Sequence, residues 1–250
     1  MIMKYTGIAD KLGIFAMAFC LAAPMGLTAL PASAEDKSAE MPFEISANVA
    51  LTSDYRFRGL TQTKEHPATQ GGLDLSAGPV YLGVWGSGVD FGDSDAASVE
   101  IDVYGGVTYE FKEIGLDLGL IYYTYPGAAS SLNYDYVEGK IALSYSPFES
   151  VSLGVGYNYS PDYFGASGEY HYPNASVEVS VPDLPVTLSG TYGYSDIDNA
   201  TAFGAPSYSD WSVGLAMTYK QVELKVQYID NDLSGDSGDP AVVFTASASF

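Results

Sequence analysis

From residue 43 to Phe250 the chain repeats one pattern: a run alternating apolar with polar residues, then a break rich in Gly, Pro, Asn or Asp. The first run, 43–53, sets Phe43, Ile45, Ala47, Val49 and Leu51 on one face, against Glu44, Ser46, Asn48 and Thr52. Successive strand side chains point to opposite sides, so each run predicts a strand with one greasy and one polar face. Further runs cover 69–77, 80–91, 98–111, 114–125, 134–145, 151–160, 169–181, 186–195, 208–219, 222–230 and 241–250. That makes twelve, an even number, as a single-chain membrane barrel with both ends on one side requires.

The breaks carry as much information as the runs. In order they are 54–68, long; 78–79, short; 92–97, longer; 112–113, short; 126–133, long; 146–150, short. Then come 161–168, long; 182–185, short; 196–207, long; 220–221, short; and 231–240, long. A soluble β-sandwich has no reason to sort its loops by parity. The order predicts a 12-stranded antiparallel transmembrane β-barrel with short periplasmic turns and longer extracellular loops. No apolar run after residue 42 approaches the roughly 20 residues of a membrane helix, and a barrel needs none.

The termini agree. Lys4 and Lys11 precede an apolar stretch from Leu12 to about Leu30, followed by Ala32-Ser33-Ala34, the pattern of a cleaved signal peptide over 1–34. One barrel domain is then expected over 35–250, exported to a Gram-negative outer membrane. The only cysteine, Cys20, falls in the leader, so the barrel has no disulfide, thiol nucleophile or Cys-ligated metal. The net charge of −21 becomes one unit more negative when Lys4, Lys11 and Asp10 leave, which disfavours nucleic acid as a partner. The last run descends through Val242, Phe244, Ala246 and Ala248 to Phe250. A terminal aromatic on such a strand reads as the signal for the barrel-assembly machinery.

Tyrosines cluster at strand ends: Tyr122, Tyr123, Tyr125, Tyr134, Tyr136, Tyr145, Tyr157, Tyr159, Tyr170, Tyr172, Tyr192, Tyr194, Tyr208, Tyr219 and Tyr228. Amphipathic rings favour the headgroup level, so all of these are expected in two aromatic girdles. Strand parity places charges inside: Glu44, Asp74, Glu100, Asp102, Glu110, Glu138, Lys140, Glu178, Asp210, Glu223 and Lys225. If the first strand runs on to Phe57, Arg56 and Arg58 join them, with Tyr55 and Phe57 facing lipid. Arg56, Arg58, Glu100, Asp102, Glu110, Glu138 and Lys140 are thus the pore-lining candidates. Either the arginines form a constriction opposite the carboxylates, or they pair with them and brace the barrel. Twelve strands leave a narrow lumen that only an inward loop could block, with 54–68 and 196–207 the longest available.

The segment Ser53-Asp54-Tyr55-Arg56-Phe57-Arg58-Gly59-Leu60-Thr61-Gln62-Thr63, with 67–72 and Phe250, resembles the TorF-type porin family of proteobacterial proteins of unknown function. The resemblance implies an outer-membrane barrel and a channel, without a substrate or catalytic residues.

An enzyme is not expected. The two histidines, His66 and His171, adjoin no G-x-S-x-G turn, and His171 between Tyr170 and Tyr172 reads as a girdle residue. Asp196, Asp198, Asp230, Asp232, Asp236 and Asp239 offer oxygen ligands, but no glutamate completes an EF-hand, so neither metal nor cofactor is assigned. The expected function is a passive channel for small cationic or dipolar solutes. The alternative is a non-conducting surface barrel whose acidic loops bind ions or partners; a barrel enzyme stands third. Expected partners are outer-membrane lipid, lipopolysaccharide, the assembly machinery and small solutes.

Overall fold

The computed structural model describes residues 43–92, 97–234 and 239–250. The expected leader, 1–34, and Asp236 of the last acidic loop lie outside the described residues. In chain order the strands are β1 (Glu44–Thr52), β2 (Arg56–Phe57), β3 (Leu60–Thr61), β4 (Ala68–Ala77), β5 (Val80–Gly88), β6 (Val99–Phe111) and β7 (Ile114–Thr124). There follow β8 (Tyr136–Phe148), β9 (Val151–Ser160), β10 (Tyr170–Ser180), β11 (Val186–Ile197), β12 (Tyr208–Tyr219), β13 (Val222–Asn231) and β14 (Ala241–Ser249). All but β2 and β3 form one closed barrel of twelve antiparallel strands, each matching one of the period-two runs.

Closure depends on the first and last strands. β1 pairs β4 from Thr52↔Ala68 to Glu44↔Ser76, and β14 from Thr52↔Thr245 to Asn48↔Ser249. Phe250 continues that pairing: its N–H donates to Ala47 O at 2.9 Å and its carbonyl accepts from Ala47 N at 3.0 Å. No barrel strand keeps an open edge, which hydrocarbon would punish severely.

The outer face is apolar. Leu51, Leu120, Val213 and Phe244 are each more than half exposed, and Tyr109, Tyr145 and Tyr219 stand outward toward the short-turn end. Such a continuous band is stable only when lipid covers it. At that end two-residue turns join β6 to β7 and β12 to β13. Lys112 (φ 57) and Lys220 (φ 56) take the left-handed conformation a tight hairpin needs.

Two expectations need correction. First, the tyrosines divide into two sets. Tyr122, Tyr145, Tyr157, Tyr192, Tyr194, Tyr219 and Tyr228 are exposed outward, as a girdle requires. Tyr123, Tyr125, Tyr136, Tyr170 and Tyr208 are instead buried inside the barrel, with Tyr134 and Tyr172 packed against them. Parity explains the split, since Tyr136 lies two residues before inward Glu138, and Tyr208 two before inward Asp210. Second, β1 does not reach Phe57. It ends at Thr52, and the chain turns inward, so Tyr55 joins the luminal core and Phe57 packs against it.

Candidate functional site

The first long loop folds into the lumen as a hairpin, β2 and β3, and its construction is legible residue by residue. Asp54 is the staple: its carboxylate accepts from Arg56 Nε at 2.6 Å, Thr61 Oγ1 at 2.7 Å and Thr63 Oγ1 at 2.9 Å. Thr52 Oγ1 donates to the Asp54 carbonyl at 2.8 Å, fixing where the hairpin leaves β1. The tip is Arg58-Gly59, both with positive φ, 49° and 82°. Two such residues in a row form the tight hairpin turn that favours glycine at its second position. At Gly59 glycine is required twice over. A Cβ there would lie 2.9 Å from Asp210 Cβ and 3.2 Å from Asn231 Cβ, because the tip is pressed against β12 and β13.

From that tip Arg58 reaches Glu138 on β8. Nη1 and Nη2 donate to the two carboxylate oxygens at 2.8 and 2.7 Å, a bidentate fork. Glu138 is fully buried, and Asn158 Nδ2 donates to its Oε2 at 3.2 Å. Four rings surround the guanidinium: Tyr172 at 4.2 Å, Phe57 at 4.6 Å, Tyr170 at 4.9 Å and Tyr163 at 5.9 Å. Burial works against the Arg58 charge. Glu138, with Tyr170 and Tyr163, more than offsets it and raises the pKa above the ordinary arginine value. The residue stays a cation.

The plug touches the wall all around. Tyr208 OH on β12 donates to Arg58 O at 3.0 Å, and Asn231 Nδ2 on β13 donates to Gly59 O at 3.2 Å. Tyr55 OH donates to Glu100 Oε1 on β6 at 3.3 Å, and Arg56 Nη1 donates to Asp239 O at 3.0 Å. Above it, loop aromatics cap the mouth: Tyr134 stacks on Phe164 at 4.1 Å, and Phe91 meets both at 5.5 and 5.6 Å. Tyr163 stacks on Tyr170 at 3.9 Å and carries Phe203 from the 198–207 loop at 5.7 Å.

Below the plug the lumen changes character. Thr108, Glu110 and Glu178 are exposed inside, and Asp74, Asp117, Lys140, Glu223 and Lys225 are half-buried. Lys140 Nζ pairs Asp117 Oδ2 at 2.7 Å, and Tyr81 OH donates to Asp117 Oδ1 at 2.8 Å. Tyr81 and Tyr104 lie flat on the wall because Gly83, Gly106 and Gly119 make room. A Cβ at Gly83 would run into the Tyr104 ring, and one at Gly119 would lie 2.7 Å from Tyr81 OH.

The seven pore-lining candidates therefore separate. Arg56 and Arg58 are on the plug, and each is paired: Arg58 with Glu138, Arg56 with Asp54 and Glu65. Glu100, Asp102 and Glu138 are wall residues covered by it. Glu100 Oε2 and Asp102 Oδ1 are buried with no hydrogen-bond partner among the described residues. Lys140 and Glu110 lie below it, Glu110 exposed and Lys140 held by Asp117 with its side chain largely buried. Sequence reasoning missed Asp117, Asn158, Tyr163, Tyr170 and Tyr172 as luminal groups. Strict parity would have found Asp117, Tyr170 and Tyr172; nothing local marks Tyr163, which arrives from a loop. His171 lies outside, its Nδ1 2.6 Å from Tyr157 OH and its ring beside Tyr159.

The fold has relatives among solved membrane proteins. The NanC porin superposes with a TM-score of 0.54 at 10% identity, covering 83% of this chain and 99% of the porin. A protein solved in work on in-meso crystallization of membrane proteins gives 0.52 at 10% identity, covering 82% of this chain and 83% of the other. An outer-membrane channel from Pseudomonas putida F1 gives 0.49 at 12% identity, covering 82% and 94%. No curated protein matches the chain in sequence. A family model matches residues 36–250, the whole barrel with its plug: the chain belongs to the Gcw_chp family of bacterial proteins of unknown function.

Proposed function

We propose that the chain is an outer-membrane channel for small solutes whose lumen is shut at rest by its first extracellular loop. The observation that carries this reading is the lumen's lower half. A barrel with no traffic has no need of exposed inward carboxylates such as Glu110 and Glu178, with half-buried Asp74 and Glu223 beside them and, among the described residues, Lys225 and the Asp117-bound Lys140 as the cations. Its excess of carboxylates favours cations and dipolar solutes over anions. The plug that ends the bore is held by hydrogen bonds, an ion pair and ring contacts, all of which can exchange for others. The porin-like fold supports the reading, as does the TorF-type resemblance of Ser53–Thr63. Export by the leader 1–34, recognition of Phe250 by the assembly machinery and contact with lipopolysaccharide at the long-loop rim belong to the same proposal.

One observation favours the second reading, a non-conducting barrel: the plug and its aromatic cap fill the long-loop half. Planar-bilayer recording separates the two. The channel reading expects small discrete steps with a cation-biased reversal potential. Replacing Arg56 and Arg58 together by alanine should enlarge the steps and strengthen the cation bias. Silence from both proteins, with a heat-modifiable folded band proving insertion competence, decides for the non-conducting barrel. No reaction is assigned: His66 is exposed on the loop and His171 is turned toward the lipid side.

A further inference from the structure

The Arg58 pocket is built for a cation that the wall does not own. The bonds of Glu138 to the guanidinium, and the hydrogen bond from Asn158 that orients this carboxylate, come from β8 and β9. Tyr170 and Tyr172 come from β10, and Tyr163 from the loop before it. None of the five belongs to the hairpin. A carboxylate with two oxygens presented edge-on and flanked by ring faces fits a planar guanidinium better than a spherical ion or a neutral solute.

We propose that this pocket is a binding site for small guanidinium-bearing solutes, which Arg58 occupies in their place while the plug is shut. The inference rests on the channel reading for its route, but not for its test. Withdrawing Arg58 would leave Glu138 without its ion partner in a pocket walled by Tyr170 and Tyr172, which is unfavourable. A solute that supplies its own guanidinium removes that penalty. By linkage it therefore favours the plug-out state in proportion to its preference for it. The solute then opens its own path, and Arg58 closes the path when the solute has gone.

Chemical rescue tests this in detergent, without any conductance. Arg58→Ala protein is titrated with methylguanidinium, and with methylurea as the neutral shape control, while thermal unfolding is followed. Methylguanidinium should raise the melting temperature of Arg58→Ala at concentrations well below any that move wild type, where it must displace Arg58, and find no echo in methylurea. Adding Glu138→Gln should weaken its binding by at least about tenfold. If Arg58→Ala does not assemble unaided, the readout becomes the yield of folded barrel on refolding with and without methylguanidinium. An equal response to methylurea, no response in Arg58→Ala by either readout, or an undiminished response with Glu138→Gln overturns the assignment. A silent bilayer together with successful rescue would sink the channel reading while leaving the site intact.

Discussion

The two halves of this lumen use the same wall in opposite ways. Toward the long loops, inward positions hold Tyr123, Tyr136, Tyr170 and Tyr208, and the hairpin 56–61 packs among them like a core element. Toward the short turns, the same strands show Thr108, Ser144, Ser176 and Glu178 inward, smaller or charged side chains that are exposed or half-buried. Strand number alone sets a bore between a solid core and an open pore. What decides each half is the size of the inward side chains and the return of the loop 54–68 into it. The halves meet where Arg58 meets Glu138.

The difference should appear first as stability. Glu138→Ala strands a buried guanidinium in the packed half and should cost about 3–5 kcal/mol, measured by urea unfolding of the folded barrel in detergent. A loss close to that of an exposed surface change would mean that the plug is not packed as described. Gly59→Ala comes next, with a strained left-handed residue and a Cβ only 2.9 Å from Asp210 Cβ. It should cost about 1–3 kcal/mol by the same assay. The short-turn end offers the mirror case. Lys220 holds the same left-handed conformation in an open turn, so Lys220→Gly should gain about 1 kcal/mol. If both substitutions destabilise equally, crowding at the tip is not what distinguishes them. Smallest is Glu110→Gln in the open half, which should shift unfolding by less than about 0.5 kcal/mol. Its signature is electrical, a reversal potential moved toward the anion side, and an unmoved potential would place Glu110 off the ion path.

Most of the barrel was legible because period two and loop parity are local properties that lipid enforces on every strand. Phe250, the lengths of the breaks and the inward run Glu100-x-Asp102 follow from counting alone. The plug was legible only as a possibility. No alternation pattern within Asp54–Thr63 announces that β1 stops at Thr52; that is fixed by Asp54 binding Thr61 and Thr63, and by wall residues about 80 to 170 positions away in sequence. The tyrosines teach the converse. Tyr136 and Tyr208 share parity with Glu138 and Asp210, so their inward placement was written in the chain, and the preference of tyrosine for headgroups obscured it. The aromatic cap, built by Phe91, Tyr134, Phe164 and Phe203 from separate loops, has no such local signature.

Thiol labelling tests the division of the lumen most directly, since the chain's one cysteine, Cys20, precedes the barrel. Ser160→Cys places a thiol on an inward position fully buried in the plugged half, and Thr108→Cys places one on an exposed inward position in the open half. With a charged, membrane-impermeant thiol reagent, Thr108→Cys should label readily and Ser160→Cys should not. Adding Arg58→Ala should release Ser160→Cys to react. Equal labelling of the two in the otherwise wild-type barrel would contradict a lumen closed by its own first loop.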